Sequence, residues 1–190
     1  MRAVYVKRDK QSAVIVYTGE GKGKTSASLG LVCRILGSGG KVAFIQFIKT
    51  WKVSEDHFLK AISPVFKDQL TVYKGGRGFY NAGDLSAPNV TKKEHSKSAR
   101  RTYEIALKYA SSGKYQAVIC DEINNAVHDG LLTKKDLKEL IAIKHPSTNL
   151  CLTGRNFPKD LHGLVDIISN MDNIKHHFDD GYEAMLGVDF

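Results

Sequence analysis

The residues with the clearest chemical purpose are Gly19, Glu20, Gly21, Lys22, Gly23, Lys24, Thr25 and Ser26, a run in which three glycines alternate with charged side chains and lead into Lys-Thr-Ser. Glycines at that spacing let successive backbone N–H groups turn inward around phosphate oxygens, and a helix N-terminus after them adds its positive end. In such a loop Lys24 supplies a mobile positive charge, and the Thr25 hydroxyl is placed to ligate Mg²⁺. The strict G-x-x-x-x-G-K-[ST] pattern requires glycine at position 18, where this chain has Thr18. A dinucleotide fingerprint starting at Gly19 requires glycine where Lys24 stands. The second candidate centre is Asp121-Glu122. Acids at the end of a buried apolar strand are the usual second anchor for Mg²⁺, direct or through water. Strands also end on acids simply to reach water, so this pair gains its meaning from the loop upstream.

The elements that must position these groups are legible around them. Ala13-Val14-Ile15-Val16-Tyr17 is a β-branched run that predicts a fully buried strand just before the loop. Leu29, Val32, Cys33 and Leu36 follow at i, i+3, i+4, i+7, an apolar helical stripe, and Gly37 and Gly39-Gly40 end that helix. Val42 to Phe47 predicts a second buried strand, completing a right-handed parallel βαβ unit. Ser54-Glu55-Asp56 reads as a capped helix start, Leu70 to Tyr73 as a short strand, and Gly75 to Gly83 as a loop. A helix through Tyr109 precedes the strand Ala117-Val118-Ile119-Cys120, which runs into the acidic pair. Thr133 and Asp136 form a capping box for a helix with Leu137, Leu140 and Ile141 inward. Leu150-Cys151-Leu152 is a further buried strand ending at Thr153-Gly154-Arg155, and Pro158 suits the first turn of a following helix. No repeat or low-complexity linker divides residues 1–190, so the expectation is one α/β domain with a mainly parallel sheet flanked by helices.

Composition narrows the function classes. A 42% hydrophobic and 25% charged chain is expected to be globular, not disordered, and it has no apolar run of the roughly 20 residues that a membrane span needs. Met1 to Arg8 lacks a signal-peptide core, which places the protein in the cytoplasm with no membrane partner. The net charge of +8 invites a nucleic-acid reading, but the densest basic stretch, Lys92 to Arg101, carries no interleaved aromatics and fits the solvated start of a helix. No nucleic-acid partner is expected. Cys33, Cys120 and Cys151 lie far apart without Cys-x-x-Cys spacing and are read as free buried thiols. His176-His177, if extended, would point to opposite faces and could not close on one ion.

The loop from Tyr17 to Thr25 resembles the variant P-loop of the ATP:corrinoid adenosyltransferases, cob(I)alamin adenosyltransferases built on a RecA-like domain, where threonine-glycine likewise replaces the common opening. Further blocks line up in order: Val42 to Lys49 with its Gln46-Phe47 ending, Gly78-Phe79 in a loop like the family's corrin-side loop, and Asp121-Glu122. Leu152 to Arg155, Lys175 to Gly181 and Gly187 to Phe190 resemble the C-terminal signature, which generic P-loop ATPases do not share. Two departures stand out. The family's Gly-Phe-Thr-Trp is here Gly78-Phe79-Tyr80-Asn81, and only about a dozen residues precede Ala13, where relatives often carry a helical arm.

The resemblance implies that ATP and a reduced corrinoid are substrates. Co(I) attacks the ribose 5′ carbon and triphosphate leaves, so the protein needs no general base and must instead hold, neutralise and aim. On this reading Gly19 to Ser26 and Arg155 bind ATP, and Thr25, Asp121 and Glu122 hold Mg²⁺. Lys24 and Phe79 are the catalytic residues, with Phe79 packing on the corrin. A homodimer is implied, together with a reductase, such as a flavoprotein, to supply Co(I). The alternatives are a P-loop ATPase or kinase, and a non-catalytic corrinoid or nucleotide-binding protein.

Overall fold

The computed structural model describes residues 10–49, 53–78, 80 and 90–189. Six parallel strands form one sheet in the order β3-β2-β4-β5-β1-β6: β1 Val14–Thr18, β2 Val42–Gln46, β3 Leu70–Lys74, β4 Ala117–Asp121, β5 Asn149–Thr153 and β6 Ile167–Asn170. Helices α1 Lys24–Gly37, α2 Ser54–Ile62, α3 Lys92–Ser111, α4 Ile123–His128 and α5 Lys134–Ile143 connect them. Successive strand residues point to opposite faces, and both faces are apolar. Val14, Val16, Ala43, Ile45, Val118, Cys120, Leu150 and Leu152 enter the core that also contains Ala99, Tyr103 and Ala106 of α3 and Leu137 and Leu140 of α5. The alternate residues Ile15, Val42, Phe44, Ala117, Ile119 and Cys151 pack with Val32 and Leu36 of α1 and Leu59 of α2. That double cover is why the strands read as continuous apolar runs rather than alternating ones.

The capping box predicted at Thr133 and Asp136 forms, and α3 carries a second box that the sequence reading had not named. Thr91 and Glu94 close a reciprocal box on α3, and Thr133 and Asp136 do so on α5. Arg100 of α3 then makes a two-pronged contact with Asp136, at 2.7 and 3.0 Å, tying the two helices together. At α2 the cap differs from expectation. Ser54 lies inside the helix, and the Val53 N–H donates to the Asp56 carboxylate at 3.3 Å.

Other expectations are corrected. The buried line of α1 is Ser28, Val32 and Leu36, one position round from the predicted stripe, so Cys33 is exposed while Cys120 and Cys151 are buried. Pro158 opens a 3-10 turn, Lys159–Leu164, rather than an α-helix. Helix α4 and strand β6 had no counterpart in the sequence reading; β6 is half polar and largely exposed, so it lacks the signature of a buried strand. His176 and His177 are not splayed. A 3-10 turn begins at His177, and both rings converge on Asp189. Phe79 and Asn81 lie outside the described residues. Among the described residues no helix is long and apolar enough to cross a membrane.

Candidate nucleotide site

Because all six strands run the same way, their C-terminal ends share one edge, where α/β sheets bind ligands. Along that edge β1 leads into the glycine loop, β4 ends at Asp121, and β5, between them, ends at Thr153. Gln46 on β2 is in register with Asp121. The sheet thus gathers the two centres singled out in the sequence, although 96 residues separate Thr25 from Asp121.

The loop is tightly built. Gly23, at φ 102°, is the left-handed N-cap of α1, a conformation that favours glycine. Gly21 is buried against another backbone segment: its N–H donates to the Met171 carbonyl at 2.6 Å, and a Cβ there would meet the Asp172 carbonyl oxygen at 2.5 Å. Lys24 arches over the loop and donates to the carbonyls of Gly19 at 2.7 Å and Gly21 at 2.5 Å. Burial, followed by the nearby charge of Arg155, lowers the Lys24 pKa from its ordinary value. The side chain is poised to exchange those carbonyls for phosphate oxygens.

Thr25 donates to Asp121 at 3.1 Å. Asp121 is fully buried and also accepts from Thr153 at 2.8 Å, whose oxygen in turn accepts the Glu122 N–H at 2.9 Å. Glu122 is a non-glycine residue with φ 63°, a left-handed conformation that stores on the order of 1–2 kcal/mol. One of its carboxylate oxygens is buried without a hydrogen-bond partner. Burial raises the pKa of both Asp121 and Glu122, and for Glu122 the Asp121 charge adds to the rise.

Lys49 occupies the middle of this acidic group and was not singled out from the sequence. Its ammonium lies 3.0 Å from Glu55, 3.7 Å from Glu122 and 3.5 Å from the Thr25 hydroxyl. Burial works against its charge, but Asp121, Glu122 and Glu55 outweigh it and hold the Lys49 pKa above its ordinary value. A lysine just past the C-terminal end of β2 was the available signal; Glu55 carried none beyond its place in the first turn of α2.

The predicted cofactor-binding residues divide into two groups. Gly19, Gly21, Gly23, Lys24 and Thr25 come together with Asp121 and Glu122 as a unit. Glu20 and Arg155 pair with each other at 3.3 Å on the rim, both more than half exposed. The Arg155 N–H is held by the Asn125 side chain at 2.6 Å. Ser26 is exposed in the first turn of α1, and Lys22 turns away from the loop interior to Asp189.

Among the described residues no three or more His, Cys, Asp or Glu side chains form a ready-made metal cage. The residues nevertheless fit Mg²⁺, which binds through one or two carboxylates and completes its shell with water and substrate phosphate. The donors would be the Thr25 hydroxyl, Asp121 and the unpartnered oxygen of Glu122. A groove of about 900 Å³ joins these parts, running over Glu20 to Ser26, past Lys49, Glu55 and Glu122, to Phe58 and Tyr80 on one side and Gly187 to Asp189 on another.

A model of the family described as ATP:corrinoid adenosyltransferase BtuR/CobO/CobP matches residues 10–190. The corrinoid adenosyltransferase of Sinorhizobium sp is 31% identical over 185 residues, which cover 97% of this chain and 83% of that protein. The corrinoid adenosyltransferase of Escherichia coli strain K12 is 28% identical over 184 residues, covering 96% and 88%. That of Pseudomonas aeruginosa is 28% identical over 184 residues, covering 96% and 86%.

Proposed function

The chain belongs to the ATP:corrinoid adenosyltransferase family, and from that membership we propose that it transfers the 5′-deoxyadenosyl group of ATP to the Co(I) of a corrinoid. The cobalt lone pair forms the cobalt–carbon bond at C5′, the C5′–oxygen bond breaks, and triphosphate leaves with that electron pair. The corrinoid is cob(I)alamin or its precursor cob(I)yrinic acid a,c-diamide.

The observation that carries this reading is the groove that runs from the phosphate loop to Tyr80. The phosphate loop lines one part of it, and Tyr80, which follows the Gly78-Phe79 pair that resembles the family's corrin-side motif, lines another. Loop amides from Gly19 to Gly23 and the Lys24 ammonium hold the triphosphate and stabilise the charge that grows on it as it departs. Thr25, Asp121 and Glu122 would hold Mg²⁺, which when bound supplies further neutralisation of the phosphates. Lys49 keeps the buried acids compensated. Arg155 and Glu20 form the rim, and Phe79 packs against the corrin. No proton has to be removed from the nucleophile, so the site works by holding and aiming. The protein acts as a homodimer in the cytoplasm, with a reductase, such as a flavoprotein, delivering Co(I).

The test is the optical spectrum of the protein with Co(II)alamin and MgATP, with and without reductant, combined with analysis of the nucleotide product. Conversion to an alkylcobalamin spectrum with one triphosphate released per cobalt supports the proposal. Release of orthophosphate from ATP at a comparable rate without corrinoid would instead identify an ATPase.

A further inference from the structure

Asp189 has a side chain only 2% exposed. Its carboxylate accepts the Met185 N–H at 2.8 Å and meets three side chains: Lys22, His176 at 3.4 Å and His177 at 3.0 Å. His176 accepts the Phe178 N–H at its Nδ1, 3.0 Å away, so its ring proton sits on Nε2, the atom that faces Asp189. The two histidines pack ring against ring at 4.5 Å between centroids. Both rings thus stand against the carboxylate within ion-pair distance without hydrogen-bonding to it, and the buried His177 Nε2 has no hydrogen-bond partner.

Lys22, the fourth partner, lies between Gly21 and Gly23 in the phosphate loop, 167 residues away in sequence. Neither glycine has a side chain with which to anchor the loop's crest. The backbone bond from Gly21 to Met171 holds one flank, and the Lys22–Asp189 pair is the only side-chain ion pair from Lys22 among the described residues. Gly187, Val188 and Asp189 also border the groove beside the loop.

We propose that Asp189 is a positioning residue of the nucleotide site: seated by His176 and His177, it anchors Lys22 and so pre-shapes the crest of the phosphate loop for triphosphate. A loop held in its binding shape loses less freedom on binding, and that saving is read out as affinity. The inference rests on the proposed triphosphate reading of the loop.

The experiment is a double-mutant cycle on the full chain, with MgATP affinity measured by titration calorimetry for wild type, Lys22→Met, Asp189→Asn and the double variant. Each single change is expected to weaken MgATP about tenfold, the double variant to be no weaker than either single, and the KM for corrinoid to stay put. Wild-type affinity in Asp189→Asn, or effects that multiply to about a hundredfold in the double variant, would overturn the proposal. Should Asp189→Asn not fold, Lys22→Met still decides, because it alters a half-exposed side chain; unchanged MgATP affinity there overturns the tether. Failure of wild type to bind MgATP would refute the triphosphate reading itself, which a lost coupling alone does not touch.

Discussion

Replacing Gly21 by alanine isolates the packing of the phosphate loop from its conformational demands. Gly21 does not have a positive φ, so alanine carries no backbone penalty there. Space is the difficulty. The new Cβ would lie 2.5 Å from the Asp172 carbonyl oxygen, 2.6 Å from its carbon and 2.7 Å from the Met171 oxygen, whereas about 3.0 Å is the closest approach that real Cβ atoms make. All three are backbone atoms, so no side chain can swing aside, and the segments must part by about half an ångström. That separation strains the Gly21-to-Met171 hydrogen bond of 2.6 Å. Overpacking costs about 1–3 kcal/mol and a lost hydrogen bond about 1 kcal/mol, so the total is about 2–4 kcal/mol. In a chain of this size that lowers Tm by roughly 5–15 °C. If the free loop relaxes to relieve half of the cost and nucleotide binding restores it, MgATP affinity falls roughly 5- to 30-fold. Thermal unfolding by circular dichroism and calorimetric titration with MgATP measure the two effects. A Gly21→Ala protein that melts within about 1 °C of wild type and binds MgATP equally well would refute the packing argument.

The contrasting substitution is Gly30→Ala, on the exposed side of α1 with nothing within 4 Å of the new Cβ; it should stabilise by about 0.5–1 kcal/mol, seen as a rise of about 1–4 °C in Tm. Lys49→Met leaves Asp121, Glu122 and Glu55 facing one another, so stability should drop by about 3 kcal/mol, and Mg²⁺ should raise the variant's Tm more than that of wild type. Asp136→Asn should cost about 1 kcal/mol near neutral pH through its cap. Burial opposes the Asp136 charge, but hydrogen bonds from Arg100 and Thr133 prevail and lower its pKa. Its stabilisation is therefore present above the ordinary carboxylate range and lost as pH falls from that range through the lowered Asp136 pKa, so the gap in Tm between wild type and variant should close in acid.

The phosphate loop and the order of β1, α1, β2, β4, α5 and β5 could be read from the chain because their signals are local. Alternating glycines before Lys24-Thr25, apolar runs three to six residues long, and Thr133 three residues ahead of Asp136 each describe contacts within a turn or a strand. The family's ending could be read from residues 175–190 as a motif, without any hint of what it does. Where the signal was weak, the reading failed: β6 carries exposed isoleucines beside polar residues, and the α1 stripe was placed one position round, which put Cys33 inside.

Sequence by itself therefore determined the class of the protein, its phosphate-binding loop and the acids that answer it, since each is written in neighbouring residues. Only the tertiary structure decided that Lys49 and Glu55 complete the acidic cluster, that Glu122 takes a left-handed backbone, and that Asp189 reaches Lys22. Those outcomes depend on which strand ends share an edge and on how distant segments pack, and no spacing along the chain encodes a meeting between residues that only the folded sheet brings together.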